Sequence, residues 1–210
     1  MKPGFTTGNT HLGKGVWTWT LPAGITCPGA HLCKAWTDES GCLKRGGGSK
    51  FCCYAARAER FPNVRLKARL NYDLVRNGAR EEIADIIHLM IPLKAKKIRI
   101  HAGGDFFSLD YTLAWFDVCD RNPDIRFWAF TKSIHLIDEA RCRKLGIPSN
   151  LKITQSLGGR YDHIRVHGVH TSQVFLTRKE AEESGLPIDT DDSLPMLGEC
   201  NFALIENSVK

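Results

Sequence analysis

Hydrophobic and polar positions alternate with two different periods along this chain, and the switches between them predict its elements. Val16–Leu21 (VWTWTL) alternates in steps of two with β-forming side chains and reads as a first strand, ended by Pro22-Ala23-Gly24. From Tyr54 the spacing turns helical as far as Pro62. Val64–Asn77 then carries Leu66, Leu70 and Leu74 on one stripe, broken at Asn77-Gly78. Glu81–Ile91 sets Ile83, Ile86, Ile87 and Met90 on one face, with acids in the first turn where the helix dipole favours them. Strands over Lys97–His101, Ile125–Phe130 and Leu151–Gln155 then alternate with helices over Leu109–Asp120 and Leu136–Leu145. Ser172–Leu176 reads as another strand, Lys179–Ser184 as a short helix, and Phe202–Ile205 as a last strand. This alternation predicts β/α units and a mainly parallel sheet. It forms one α/β domain over residues 16–210, preceded by a Gly- and Thr-rich loose arm over residues 1–15.

Three of the predicted strands end in clusters of small or polar residues: Ala102-Gly103-Gly104-Asp105, Thr131-Lys132-Ser133, and Ser156-Leu157-Gly158-Gly159. Ligands of α/β proteins bind where such strand ends converge. The candidate cofactor contacts are therefore Gly103, Gly104, Asp105, Lys132, Ser133, Gln155 and Ser156. Asp105 either receives an ammonium or ribose hydroxyl or caps the following helix with Ser108. Lys132-Ser133 and Gln155-Ser156 either meet a cofactor carboxylate or ribose or serve as caps and turns.

The densest chemistry lies in Thr26–Ala55, which holds Cys27, Cys33, Cys42, Cys52 and Cys53 out of eight cysteines. The amino terminus has no apolar signal segment, and no run of about eighteen apolar residues exists to span a membrane. The expectation is a cytoplasmic protein with reduced thiols, so clustered cysteines point to a metal rather than to disulfides. Two arrangements follow. Four thiols would close a tetrahedral zinc site; three would hold an iron–sulfur cluster with one iron open to a ligand. Adjacent Cys52 and Cys53 point in different directions, and Cys53 is favoured because it begins a helix. Cys27, Cys33 and Cys53 form the preferred set, with Cys42, Cys52 and the distant Cys200 as further candidates. His163, His167 and His170 would share one face if their segment were helical, although Gly168 argues against a helix. Asp189, Asp191 and Asp192 either hold a hard cation or cap a turn at Ser193.

The apolar content of 42%, with ten Phe and five Trp, supports a real core and excludes global disorder. A net charge of +6 fits a polyanionic partner without requiring one. Arg57, Arg60, Arg65, Lys67 and Arg69, interleaved with Trp36, Phe51, Tyr54 and Phe61, read either as a nucleic-acid grip or as a solvated helix face.

The segments TCPGAHLC, CYAARAERFPNV, IRIHAGGDFFS, WAFTKS and GLPIDTDDS occur in this order from Trp17 to Ile205, and the chain resembles the phage protein family gene product 88. That resemblance implies a phage or prophage setting in a host cytoplasm. It also marks residues 35–52 as an insertion relative to shorter members, so that Cys42 and Cys52 are peculiar to this chain. More distantly, three cysteines after the first strand, the last followed by Tyr54, and Gly103-Gly104-Asp105 after the second strand resemble the radical S-adenosylmethionine enzymes. Here the usual compact cysteine spacing is absent and Asp replaces Glu. This second resemblance implies a partial (β/α) barrel, a 4Fe-4S cluster on Cys27, Cys33 and Cys53, S-adenosylmethionine at the glycine turn, and a nucleotide or nucleic acid substrate. The alternative expectation is a non-enzymatic nucleic-acid-binding protein with a structural zinc or iron–sulfur site.

Overall fold

Among the described residues there are nine strands, six of them from the alternating runs: β1 (Thr6–Thr7), β2 (Val16–Trp19), β3 (Ala35–Thr37), β4 (Leu43–Arg45), β5 (Lys97–Ile100), β6 (Arg126–Thr131), β7 (Leu151–Ser156), β8 (His170–Phe175) and β9 (Phe202–Ile205). The helices are α1 (Tyr54–Ala58), α2 (Pro62–Val75), α3 (Arg80–Met90), α4 (Leu109–Arg121), α5 (Ile134–Lys144), α6 (Arg178–Glu183) and α7 (Ser193–Leu197). The computed structural model describes residues 1–8 and 12–206. Its fold is mixed α/β with a mostly parallel central sheet, in the order β1-β2-β5-β6-β7-β8-β9. Only β1 is antiparallel; every other neighbouring pair is parallel.

The order of the parallel strands follows the chain without a reversal. Right-handed crossovers between neighbouring parallel strands then send the connecting helices to a single face. Burial bears this out: Ile98 and Ile100, Phe127 and Ala129, and Leu151 and Ile153 join Ile83, Ile87, Trp115, Phe116 and Ile137 in one apolar core. Alternate residues of the same strands, among them Arg99, Trp128 and Phe130, face the other way. Trp128 packs with Leu12 and Val16 in a separate small cluster, and Met196 of α7 lies against it.

Specific residues set the helix ends. Ser108 accepts from the Tyr111 amide and opens α4, and Thr177 with Glu180 forms a capping box on α6. Pro62 starts α2 at a position that needs no amide donor. The cap of α4 falls to Ser108 alone, and Asp105 serves elsewhere.

Two regions differ from the expectation. Residues 1–15 do not form a loose arm where they are described. Thr6 and Thr7 pair with Thr18 and Trp17, the Gly4 amide donates to buried Asn71 at 2.7 Å, and Phe5 packs at 5.2 Å from Trp19. The part of that arm at residues 9–11 lies outside the described residues. The cysteine-rich loop also contains the antiparallel hairpin β3–β4. Its turn closes where Asp38 Oδ1 accepts from the Cys42 amide and the Ser40 hydroxyl, a local bond pattern that competes well in short hairpins.

Trp115 is the centre of the helix-side core: fully buried, it meets Trp19, Tyr111 and Phe127 edge-on at 6.2 to 6.4 Å. Trp115→Ala should lower the unfolding free energy by about 3–5 kcal/mol in a denaturant titration. A loss below about 1 kcal/mol would show that this aromatic cluster does not anchor the sheet.

Candidate metal and ligand site

The cysteine loop is tied down strand by strand. Beyond β2 the Leu21 amide donates to the Gly103 carbonyl at 2.8 Å, and the Ala102 amide donates to that of Trp19 at 2.9 Å. The buried Thr26 hydroxyl donates to the Pro22 carbonyl at 2.8 Å. Gly104 has a φ of +82°, and a Cβ there would stand 2.6 Å from both Leu21 Cβ and Thr26 Oγ1, so only glycine fits. Further on, a Cβ at Gly29 would lie 2.0 Å from the Lys132 carbonyl oxygen. The Arg160 amide donates to the Gly29 carbonyl, Leu32 donates to Gly158, and Ala30 forms a bridge with Gly159. Each of the three strand-end clusters thus grips the cysteine loop. The glycines there admit protein backbone at contact distance.

Asp105 links two of these clusters. Its Oδ1 accepts from the Thr131 hydroxyl at 2.6 Å and from the Phe106 amide at 2.7 Å, while Oδ2 accepts from the Lys132 amide at 2.9 Å. Burial raises its pKa to about 6 despite these donors. Lys132 spends its ammonium on the Ser156 carbonyl, the Ser156 hydroxyl and the Leu157 carbonyl, at 2.6 to 3.0 Å, which ties β6 to β7. Gln155 is buried and donates to the Ile164 carbonyl at 3.3 Å, and Ser133 is buried with an unpartnered hydroxyl.

Cys27, Cys33 and Cys53 are all half-buried on this platform, and Cys27 feels the charges of the other two. Burial pushes the Cys27 thiol well up, reinforced by Asp105, Cys53 and Cys33. Burial also raises Cys53, to about 11, with the Cys33 charge adding to the effect and the amides of Ala56 and Ala55 opposing it. Those amides open α1, although no side-chain cap of ordinary geometry closes there. Cys33 is raised by burial and held back by the Lys132 charge. The Gly24 amide donates to Cys27 Sγ at 3.3 Å. Among the described residues no three Cys, His, Asp or Glu side chains close around a single ion. A tetrahedral zinc with bonds of about 2.3 Å draws its thiolates to roughly 3.8 Å from each other. The three thiols share one field without meeting that spacing. Buried soft donors of this kind suit a metal group wider than one ion.

The remaining candidates lie apart from the three thiols. Cys42 is exposed on the β3–β4 turn, and Cys52 is buried with its amide donating to Glu206 Oε1 at 3.1 Å. The histidine segment is not helical, and His170 begins β8. Asp189 accepts from the Asp192 and Leu194 amides and so caps α7. Much of the basic run is engaged in local structure. Arg65 donates to the carbonyls of Glu59 and Arg60, Arg69 pairs with Glu39, Lys67 donates to Lys2, and Arg57 lies 3.9 Å from Glu206. Arg60 is exposed beside Phe61. Two shallow cavities of about 370 and 470 Å³ lie around Lys152 at the opposite end of β7, away from the thiols.

Two contributors were not anticipated. Glu59, only 1% exposed, accepts from the Ala23 amide at 2.7 Å and holds the turn before Cys27. Burial raises its carboxyl to about 7. Arg99 pairs with Asp192 at 2.8 Å, donates to the Tyr54 hydroxyl at 2.8 Å and lies over the Phe130 ring. Tyr54 in turn donates to the Ala102 carbonyl at 2.8 Å, so its hydroxyl is sealed while its ring remains half exposed. A charge inside a strand pattern was the only available signal for Arg99. Glu59 carried none, because its partner lies thirty-six residues away.

Gly29→Ala would drive a methyl into the Lys132 backbone. It should cost about 1–3 kcal/mol and lower metal uptake, both readable by thermal melting and metal analysis; an unchanged melt and uptake would refute the docking role. For Glu59 the sign is set by a carboxyl raised from 4.5 to about 7 on folding. The folded state holds its proton more tightly, so this stability is complete below the unfolded value and is lost as pH rises through the folded one. Glu59→Gln keeps an acceptor without the buried charge. It should match the parent near pH 4.5 and exceed it at pH 8 by on the order of 2 kcal/mol, measured by denaturant unfolding at the two pH values.

Comparison with known proteins places these features in a lineage. Two mycobacteriophage proteins, each named Gene 88 protein and encoded by phages L5 and D29, are 35% identical over 95 residues, covering 39% of this chain. The match spans 40% of the length of either relative. No solved structure matches. The family model described as Gene product 88 aligns with residues 3–206, which takes in the thiols, the three strand-end clusters and the Asp189–Ser193 loop alike, and the chain belongs to that family.

Proposed function

We propose that this protein is an iron–sulfur protein built on a partial (β/α) barrel, with a 4Fe-4S cluster on Cys27, Cys33 and Cys53 and S-adenosylmethionine as its cosubstrate. The observation that carries this reading is that three half-buried cysteines sit on one loop between the first and second of six consecutive parallel strands, near enough for their charges to interact. Consecutive strand order with helices on one face is the arrangement of a singly wound barrel, whereas a doubly wound sheet reverses direction at a switch point.

A cluster held by three thiolates retains one iron for an outside ligand, and on reduction it would supply the electron that cleaves S-adenosylmethionine and starts hydrogen abstraction from a substrate. The chain's own residues prepare that site. Burial keeps the free thiols protonated, so loading a cluster releases protons and is favoured at higher pH. Lys132 places a positive charge near Cys33, and Asp105 fixes the Lys132 backbone. A Cβ at Gly103 would stand 3.1 Å from Ala55 Cβ and 3.2 Å from Thr20 Cγ2, so this turn packs closely beside the cysteine loop. The half-exposed Tyr54 ring borders the site. A nucleotide or nucleic acid substrate accords with the net charge of +6 and the phage relatives.

Protein purified without oxygen should be brown, absorb broadly near 400 nm and carry about four irons per chain. Reduction with S-adenosylmethionine should release 5′-deoxyadenosine. Cys27→Ala and Cys53→Ala should abolish the colour, and Cys42→Ala should retain it. A colourless protein with stoichiometric zinc would replace this reading with a structural metal in a binding protein. Brown protein that releases no 5′-deoxyadenosine under conditions where a control enzyme does would leave a cluster protein without the radical reaction.

A further inference from the structure

The outer surface of the cysteine loop carries positive charge that the metal site does not use. Backbone bonds hold its cations near one another. The Arg160 amide donates to the Gly29 carbonyl at 2.9 Å, and the Leu32 amide to that of Gly158 at 3.0 Å. The Lys34 amide donates to the His31 carbonyl at 3.1 Å, the Gly46 amide to that of Lys34 at 2.8 Å, and the Lys50 amide to that of Leu32 at 2.8 Å. Arg45 stands opposite Ala35 on the β3–β4 hairpin. Lys34 is half-exposed, and Arg45, Lys50, Arg160 and His31 are exposed.

The acids within reach of this rim are already engaged. Residues 26–55 hold only Asp38 and Glu39, which pair with Lys44 at 3.6 Å and Arg69 at 3.2 Å. Asp162, two residues beyond Arg160, accepts from the Gly158 and Gly159 amides at 2.7 and 3.0 Å. Among the described residues Lys34, Arg45, Lys50 and Arg160 make no ion pair. The helix face is different. There Arg80 pairs with Asp117, Arg121 with Asp85, Arg143 with Glu139 and Lys144 with Asp120. Part of the net charge of +6 therefore lies unmatched on the loop, where it attracts an anionic partner.

The layout narrows the class of that partner. The cations come from three chain segments, and the two cavities of about 370 and 470 Å³ lie at the opposite end of β7. A small anion needs donors that converge in a cleft, whereas a phosphate backbone is held by charges spread along a surface. Ala35 and Thr37 face inward at 1% exposure each, which turns Trp36 outward, half-exposed and opposite Lys44. An indole among cations suits a stacked base, which an unpaired strand presents and a duplex does not. A Cβ at Gly47 would meet nothing within 4 Å, so the turn between Arg45 and Lys50 leaves its backbone open to such a strand. Residues 31–50 carry no exposed large apolar side chain of the kind that enters a bilayer.

We infer that this rim binds single-stranded nucleic acid, with Lys34, Arg45, Lys50 and Arg160 on its phosphates and Trp36 against a base. The inference does not rest on the identity of the metal, because the contacts come from the outer surface of the loop and not from its thiols.

Fluorescence anisotropy of the full-length, anaerobically purified protein tests it with labelled oligothymidylate, oligouridylate and a DNA duplex, each about twenty nucleotides per strand. One single strand or both should bind saturably with a Kd below about 50 µM at about 0.1 M salt, and the tighter of the two names the preferred sugar. The logarithm of affinity should fall against that of salt with a slope of about −3, as four phosphate contacts on a single strand require. Lys34→Ala combined with Lys50→Ala should reduce that slope by about 1.4 and weaken binding at least about fivefold. Lys96→Ala combined with Lys97→Ala removes the same charge at the far ends of the strands and should change affinity by less than about twofold. Both double variants should melt like the parent. Absence of saturable binding by either single strand would overturn the proposal. Equal losses in the two double variants would mark net charge alone and overturn it too. So would a duplex preferred by about tenfold, or binding to phosphatidylserine vesicles with none to either strand. Metal analysis of the same samples separates this from the cluster reading. Zinc with strand binding sinks only the iron–sulfur assignment, and iron without it sinks only this proposal.

Discussion

The contact between Gly29 and the Lys132 backbone is the constraint on which the rest of the site depends. It lets a thirty-residue loop lie flat across the ends of three parallel strands, and no side chain larger than hydrogen can occupy that point. Asp105 completes the arrangement from below. By accepting from Thr131, Phe106 and Lys132 it locks the end of β6 to the turn after β5, and so fixes the floor on which Gly29 rests. A buried carboxylate is expensive unless hydrogen-bonded, and here each oxygen is used. The motifs that read as ligand contacts therefore act first on the protein's own loop.

That loop concentrates negative charge in a poorly solvated place. Burial raises the pKa of Cys27, Cys33 and Cys53; Asp105 adds to the effect on Cys27 and Cys33, Cys33 adds to it on Cys27 and Cys53, and Lys132 opposes it at Cys33. Three neutral thiols are stable there. Three thiolates are not, unless a cationic metal group shares the space. The Arg99–Asp192 pair does the opposite job across the sheet. It brings α7 against the strands while leaving its surroundings neutral.

The sequence was informative where one local rule settled the matter. Period-two and period-3.6 patterns located every strand of the parallel sheet and the helices α2 to α6 to within a few residues, because burial of one face imposes those periods. The hairpin β3–β4 and the edge strand β1 were missed. Each is only two or three residues long and rests on bonds made by Asp38 or Asn71 that propensity does not register. Helix α7 was hidden by Pro195, which is tolerated because it lies in the first turn.

By itself, then, the sequence determined the α/β class and the parallel sheet, because these follow from periodicity. Tertiary structure alone decided what the strand-end clusters grip and which distant partners Glu59 and Arg99 find. Those features depend on residues brought together from as far apart as Ala23 and Glu59, or Arg99 and Asp192. No local pattern encodes such separations. The thiol loop that is densest in sequence proves to be held by the sparsest signal, one glycine without room for a methyl group.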